Sequence, residues 1–288
     1  MALDKIRAAA RILRNNPPAA FGLALVLVYV FVAVAGPSIA PHPYDKFSVG
    51  PPLAAPSLDH PFGTDEFGRD VLSRVLYGGR ISLRVGALVV TIAGVIGVSV
   101  GMISGFYGGW IDEFAMRITD IFLAFPDLVM ALVVATALGT SIESAIIGIA
   151  IVRWTSYARL MRSSVLAQKG RDYMLAGRAL GAHPVRLIWR HILPNSYAPV
   201  LVQATLDFGL AILLAAGLSF IGAGAQPPLP EWGALVSGGR QYVQAAWWIP
   251  IFPGFAIFGA VLAFNLLGDA LRDYLDPRLR HLLQNARR

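Results

Sequence analysis

Long apolar runs separated by short polar stretches dominate this chain, and six of the runs are candidates to cross a membrane. A span needs about 20 mostly apolar residues, at about 1.5 Å of rise each. The runs lie at about 19–40, 85–107, 118–139, 144–161, 198–221 and 248–268. The first, second and sixth are free of charge. The third carries Asp120, Pro126 and Asp127, the fourth has Arg153 near its middle, and the fifth holds Asp207. The pattern predicts an all-α polytopic membrane protein with six transmembrane helices.

The flanks of the runs refine this picture. The first run is 17 residues of unbroken apolar sequence and ends in Ala33-Val34-Ala35, which resembles a signal-peptidase site. Its length and the Gly36-Pro37 that follows favour a retained span. Ahead of it, KIRAAARILRNNPP sets Ile6, Ala10 and Leu13 on one face and Arg7, Arg11 and Arg14 off it. That pattern fits either a short helix lying on the membrane surface or a frayed basic tail. The expected organisation is an amphipathic cytoplasmic segment over 1–18, a membrane body over 19–272 and a cytoplasmic tail over 273–288.

Composition agrees with a lipid environment. Of 288 residues, 56% are hydrophobic and 14% charged, against about 25% charged in a typical soluble domain. The net charge is +7, and its distribution gives the topology. With both termini inside, the cytoplasmic pieces hold 17 lysines and arginines and the outer pieces 6, as the positive-inside rule requires. Arg153 alone falls within the membrane. The chain has no cysteine, which excludes disulfides, thiol nucleophiles and thiolate metal sites.

One basic stretch stands apart. LAGRALGAHPVRLIWRHILP, from Leu175 to Pro194, reads as helix, turn, helix, with Gly181 as a C-cap and Pro184 at the next helix start. It has three arginines, two histidines and no acid. Tethered by membrane spans at both ends, in a cytoplasmic loop of about 162–197, it is not expected to read nucleic acid.

Enzymatic chemistry is missing from the pattern. A phosphate-cradling loop needs lysine followed by serine or threonine, whereas Lys5, Lys46 and Lys169 precede Ile6, Phe47 and Gly170. His42, His60, His183, His191 and His281 are scattered, with no metal-ligand spacing, and no G-x-S-x-G occurs. No catalytic, cofactor or metal residue is assigned. The outer segments 60–83 and 223–248 mix charge with Trp and Tyr, and are expected to be ordered connections at the lipid headgroups rather than partner contacts.

The intramembrane charges call for partners. An arginine at a helix centre costs about 2.5–3.5 kcal/mol on insertion scales. Asp127 and Arg153 fall at similar depth on two spans joined by a short connection, so an ion pair between them is expected. It would either fix the packing or line a pathway and face a charged group of what passes.

Five segments together carry a family resemblance: GTDEFGRDVLSRVLYGGRISLRVG, GFYGGWIDEFAMRITDIFLAFPDL, the 175–194 stretch, LSFIGAGAQPPLPEWG and AFNLLGDALRDYLDPRLR. In this order they resemble the inner-membrane permease subunits of ABC importers, and among these the C-type permeases of dipeptide, oligopeptide and nickel systems. The resemblance implies the type I importer transmembrane fold and a heteromeric assembly. Its members are a sister permease, two ATP-binding subunits that hold ATP and Mg, and an extracytoplasmic solute-binding protein. It identifies the basic loop as the family's ATPase-docking "EAA" loop, here Asp172, Leu175, Ala176, Gly177, Arg178, Gly181, Ala182 and His183. The name-giving Glu-Ala-Ala is replaced by Leu175-Ala176-Gly177, leaving Asp172, one turn earlier, as the candidate carboxylate. Ala215 stands where many relatives have glutamate. Peptides are the expected cargo, with nickel or oligosaccharides as alternatives in the same family. Two other classes compete: an ion-coupled secondary transporter using Asp127 and Asp207, for which no internal repeat is visible, and a membrane-anchored regulator.

Overall fold

The computed structural model describes residues 16–275. Most of the segment expected over 1–18 and of the tail expected over 273–288 lies outside the described residues. The first helix, α1 (Pro17–Ile39), starts where Asn16 accepts a hydrogen bond from the Ala19 amide at 3.3 Å, with Pro17 at the position that tolerates proline. Next, α2 (Val71–Tyr107) runs 37 residues, about 55 Å, far more than the span expected over 85–107. The segment 60–83, expected to be connection, instead supplies its first turns. Arg74, Arg80 and Arg84 need not enter lipid, because a helix of this length projects beyond a hydrocarbon layer of about 30 Å. Asp70 caps it, accepting from Ser73 N at 2.7 Å.

The third span does not form as one rod. It is split into α3 (Gly109–Leu123) and α4 (Asp127–Ala137), bent by 92° at residues 124–126. Pro126 offers no amide hydrogen and pushes Phe125 out of helical conformation, so the ladder stops there. With 11 residues, or about 16 Å, α4 is half a membrane crossing.

The remaining helices are α5 (Ile142–Lys169), α6 (Asp172–Ala179), α7 (Pro184–Ile221), α8 (Trp232–Gly239) and α9 (Trp248–Leu275). By length and apolarity α1, α2, α7 and α9 can cross a membrane, and the bent α3–α4 pair makes a fifth. The expected count of six is not reached on that measure. The fourth expected span is α5, which is long enough but carries Arg153, Arg159, Arg162 and Lys169. Arg153, Arg159 and Arg162 are each paired with an aspartate, and α2, α4 and α7 pack against the helix.

The contact between α2 and α5 is unusually close. Gly97, Gly101 and Gly105, four residues apart, form a stripe on α2. A Cβ on Gly97 would lie 2.5 Å from Tyr157 Cβ, and one on Gly105 3.0 Å from Val165 Cβ. Gly101 abuts the Ala158 carbonyl. The register rises together on both helices, so they run parallel. Small residues allow backbones to approach in this way.

Residues 40–70 and 222–247 cap one end of the bundle. Their centre is Asp65, fully buried, which accepts from the Phe67 and Arg69 amides, from Arg69 Nε at 2.6 Å and from Arg74 Nη1 at 2.6 Å. Trp248 donates to the Thr64 carbonyl and Trp232 to the Val75 carbonyl. Phe62 stacks on Phe252. The cap is ordered, and it is held by buried charge that the sequence pattern did not reveal.

Candidate functional site

At the other end of α2, α6 and the start of α7 form a helical hairpin. Its turn is built by local chemistry. The Gly181 amide donates to the Arg178 carbonyl at 2.9 Å and the Ala182 amide to the Gly177 carbonyl at 3.0 Å, the two bonds of a Schellman motif. Gly181 has φ of +72°, which glycine alone adopts without strain. His183 then caps the next helix through Nδ1, which accepts from Val185 N, and Pro184 occupies its first position. The helix-turn-helix read from the sequence is the observed one.

A buried underside ties the hairpin down. Met174, Leu187 and Ile192 pack with Met102 and Phe106 of α2 and with Met161 and Val165 of α5. Gly177 lets the two arms close: a Cβ there would come within 2.9 Å of Leu187 Cδ2. Just past the turn α7 contains a π segment, Ile188–Ile192, a wide turn that recurs at functional positions.

The outer face is apolar and open. Leu180 is 88% exposed and Trp189 65%, and Leu175 and Val185 are exposed beside them. Asp172, Ala176, Arg178 and His183 are exposed on the same hairpin, whereas Gly177 and Ala182 are half-buried. Asp172 lies in the first turn of α6, one turn before Leu175.

The second constellation lies within the bundle, with Asp207 buried, Arg153 nearly so and Asp127 partly exposed. Arg153 Nη1 meets Asp127 Oδ2 at 2.7 Å, the pairing expected from depth and connection length. Its Nη2 meets Asp207 Oδ1 at 2.6 Å, and Gln203 Nε2 donates to the same oxygen at 3.0 Å. The sequence reading kept Asp207 apart from this pair, although an acid at membrane depth was itself a signal that it needed a cation. Arg153 Nε, Asp207 Oδ2 and the Tyr157 hydroxyl are buried with no hydrogen-bond partner among the described residues.

Two further pairs follow along α5. Arg159 pairs with Asp120, and Arg162 holds Asp112 with two bonds, at 2.5 and 2.6 Å. Three arginines of α5 thus grip three aspartates of the broken helix in antiparallel order. Ala215 packs in an apolar core with Val85, Val89, Ile149 and Leu218, so nothing around it calls for a carboxylate. No group of three or more His, Cys, Asp or Glu side chains among the described residues could hold a metal ion.

Comparison with known proteins points one way. Residues 97–281 match the family described as binding-protein-dependent transport system inner membrane component, and residues 6–56 the N-terminal TM domain of oligopeptide transport permease C. The dipeptide transport system permease protein DppC of Alkalihalophilus pseudofirmus is 45% identical over 97% of this chain and 92% of its own length. The Escherichia coli protein of that name is 46% identical over 93% and 91%. Among solved structures, the MetNI methionine ABC transporter in an inward-facing conformation matches with a TM-score of 0.52 at 18% identity, covering 68% of this chain and 95% of that one. That last likeness concerns the fold.

Proposed function

Because this chain belongs to the binding-protein-dependent transport system inner membrane components, and so is a multi-pass membrane permease of an ABC importer, we propose that it forms half of a translocation path for di- and oligopeptides. The other half is a sister permease. Two ATP-binding subunits hold ATP and Mg, and an extracytoplasmic binding protein delivers the cargo. Peptide cargo is supported by relatives named as dipeptide permeases that align over more than nine-tenths of this chain.

The observation that carries the reading is the hairpin at 172–192. It is rigid at its turn, anchored beneath on α2 and α5, and apolar on its exposed face. A partner that binds Leu180 and Trp189 and then moves must drag α5 and α7 with it, since both grow directly out of the hairpin. We assign this face to the cytoplasm and to the ATP-binding subunits, with Asp172 supplying the polar contact in place of the missing glutamate. Alternation between outward- and inward-facing states then follows from ATP-driven closure of the partner.

Gly181→Val tests this. Forcing a β-branched residue to positive φ costs about 1–2 kcal/mol, enough to deform the turn while leaving the distant cap and spans intact. The variant should insert in membranes normally, lose roughly tenfold in affinity for the ATP-binding subunits, and show matching loss of labelled-dipeptide uptake in proteoliposomes. Normal uptake by a complete complex carrying this variant refutes the docking role. Uptake of nickel instead of peptide by the wild-type complex refutes the cargo.

A further inference from the structure

We propose that Arg153 is a positioning residue for transport, coupling movement of the docking hairpin to the angle of the break between α3 and α4. The inference rests on the hairpin being the docking element, and its argument is one of connectivity. Arg153 stands on α5, the helix that enters the hairpin. Its second carboxylate partner, Asp207, stands on α7, the helix that leaves it. Its first partner, Asp127, is the opening residue of α4, directly after Pro126. One guanidinium therefore joins both outputs of the hairpin to the joint of the broken helix.

The two arms of that helix are held separately. On the far side of the joint, α3 is fixed to α5 by Asp120–Arg159 and Asp112–Arg162. Between the two anchorages lie Ala124, Phe125 and Pro126: the Ala124 amide still bonds to the Asp120 carbonyl, but the Phe125 amide reaches only Phe122 O at 3.4 Å and Pro126 has no amide hydrogen, so the ladder that would stiffen the joint ends there. A slide of α5 pulls on α3 and α4 at once. A slide of α7 relative to α5 shifts Asp207 and so redistributes the guanidinium between Asp207 and Asp127.

The polar inventory suits an element with more than one arrangement. Two carboxylates share one guanidinium, and Arg153 Nε stays buried and unmatched in this conformation. A planar guanidinium can serve two carboxylates in fixed directions, whereas an ammonium is a point charge. Arg153→Lys should therefore keep the charge and lose the three-helix tie.

The experiment uses the complete importer in proteoliposomes, with wild-type, Arg153→Gln, Arg153→Lys and Asp207→Asn subunits. The natural chain has no cysteine, so Arg117→Cys on α3 and Val133→Cys on α4 can carry spin labels attached before assembly. In wild type the inter-label distance should change when ATP and cargo-loaded binding protein are added. In the three variants the complex should still assemble and hydrolyse ATP, peptide uptake per ATP should fall about tenfold, within the range of site-to-site couplings, and the distance change should disappear. Rescue by Arg153→Lys, or an unchanged distance response and uptake ratio in Arg153→Gln, overturns the proposal. If Arg153→Gln fails to assemble, the near-isosteric Asp207→Asn decides by the same two readouts. A wild-type complex that does not bind ATP-binding subunits refutes the docking role instead, so the two failures are distinct.

Discussion

The close approach of α2 and α5 gives a prediction with an internal control. Gly94 and Gly101 lie on the same helix, α2, and both face α5. Alanine at Gly94 would place its Cβ 3.9 Å from Tyr157 Cε1, an ordinary van der Waals contact. Alanine at Gly101 would place its Cβ 3.0 Å from Arg162 N and nearer still to the Ala158 carbonyl. Those neighbours are backbone and cannot rotate aside, so α5 must move away along its whole central stretch. Overpacking of this type costs about 1–3 kcal/mol, whereas the conformational gain of alanine over glycine in a helix is at most about 1 kcal/mol. Gly94→Ala should thus be neutral or slightly stabilising, and Gly101→Ala should destabilise by about 1–2 kcal/mol net. Thermal unfolding of both purified variants in the same detergent, followed by tryptophan fluorescence, measures the difference. Equal midpoints would show that α2 and α5 are not in backbone contact at this position, and would remove the basis for treating them as one unit.

Two other outcomes follow from the geometry. Asp65→Asn keeps the shape but leaves Arg69 and Arg74 buried without their shared carboxylate; removing one partner of a buried pair costs about 3–5 kcal/mol, and limited proteolysis at the 40–70 cap should accelerate accordingly, with an unchanged cleavage rate counting against the buried knot. The purified chain should show no ATP turnover of its own, since none of its lysines precedes a serine or threonine; turnover that co-elutes with this subunit after removal of contaminating ATPases would contradict that.

What the sequence made legible is what local chemistry determines. Gly181 and Pro184 each restrict the backbone to one role, and the turn between them forms where they stand. Uncharged runs such as 17–39 and 248–268 have no alternative to a helix in lipid, because every backbone polar group must be satisfied within the segment. The Asp127–Arg153 pair was within reach too, since a short connection fixes the depth of both residues. The remaining features depend on partners far away in the chain. Arg74 is acceptable in a helix because Asp65, nine residues back, is turned inward by a loop that no periodicity describes. Asp207 joins Arg153 from 54 residues away, and Asp112 reaches Arg162 from 50. Pro126 was visible, but an averaged apolar window over 118–139 conceals whether a proline kinks a span slightly or bends it by 92°. The difference is made by α5, whose arginines give each arm of the broken helix its own anchorage. Asp127 on one side of the bend, and Asp120 and Asp112 on the other, are each paired with an arginine of α5, the helix that leads into the hairpin at 172–192.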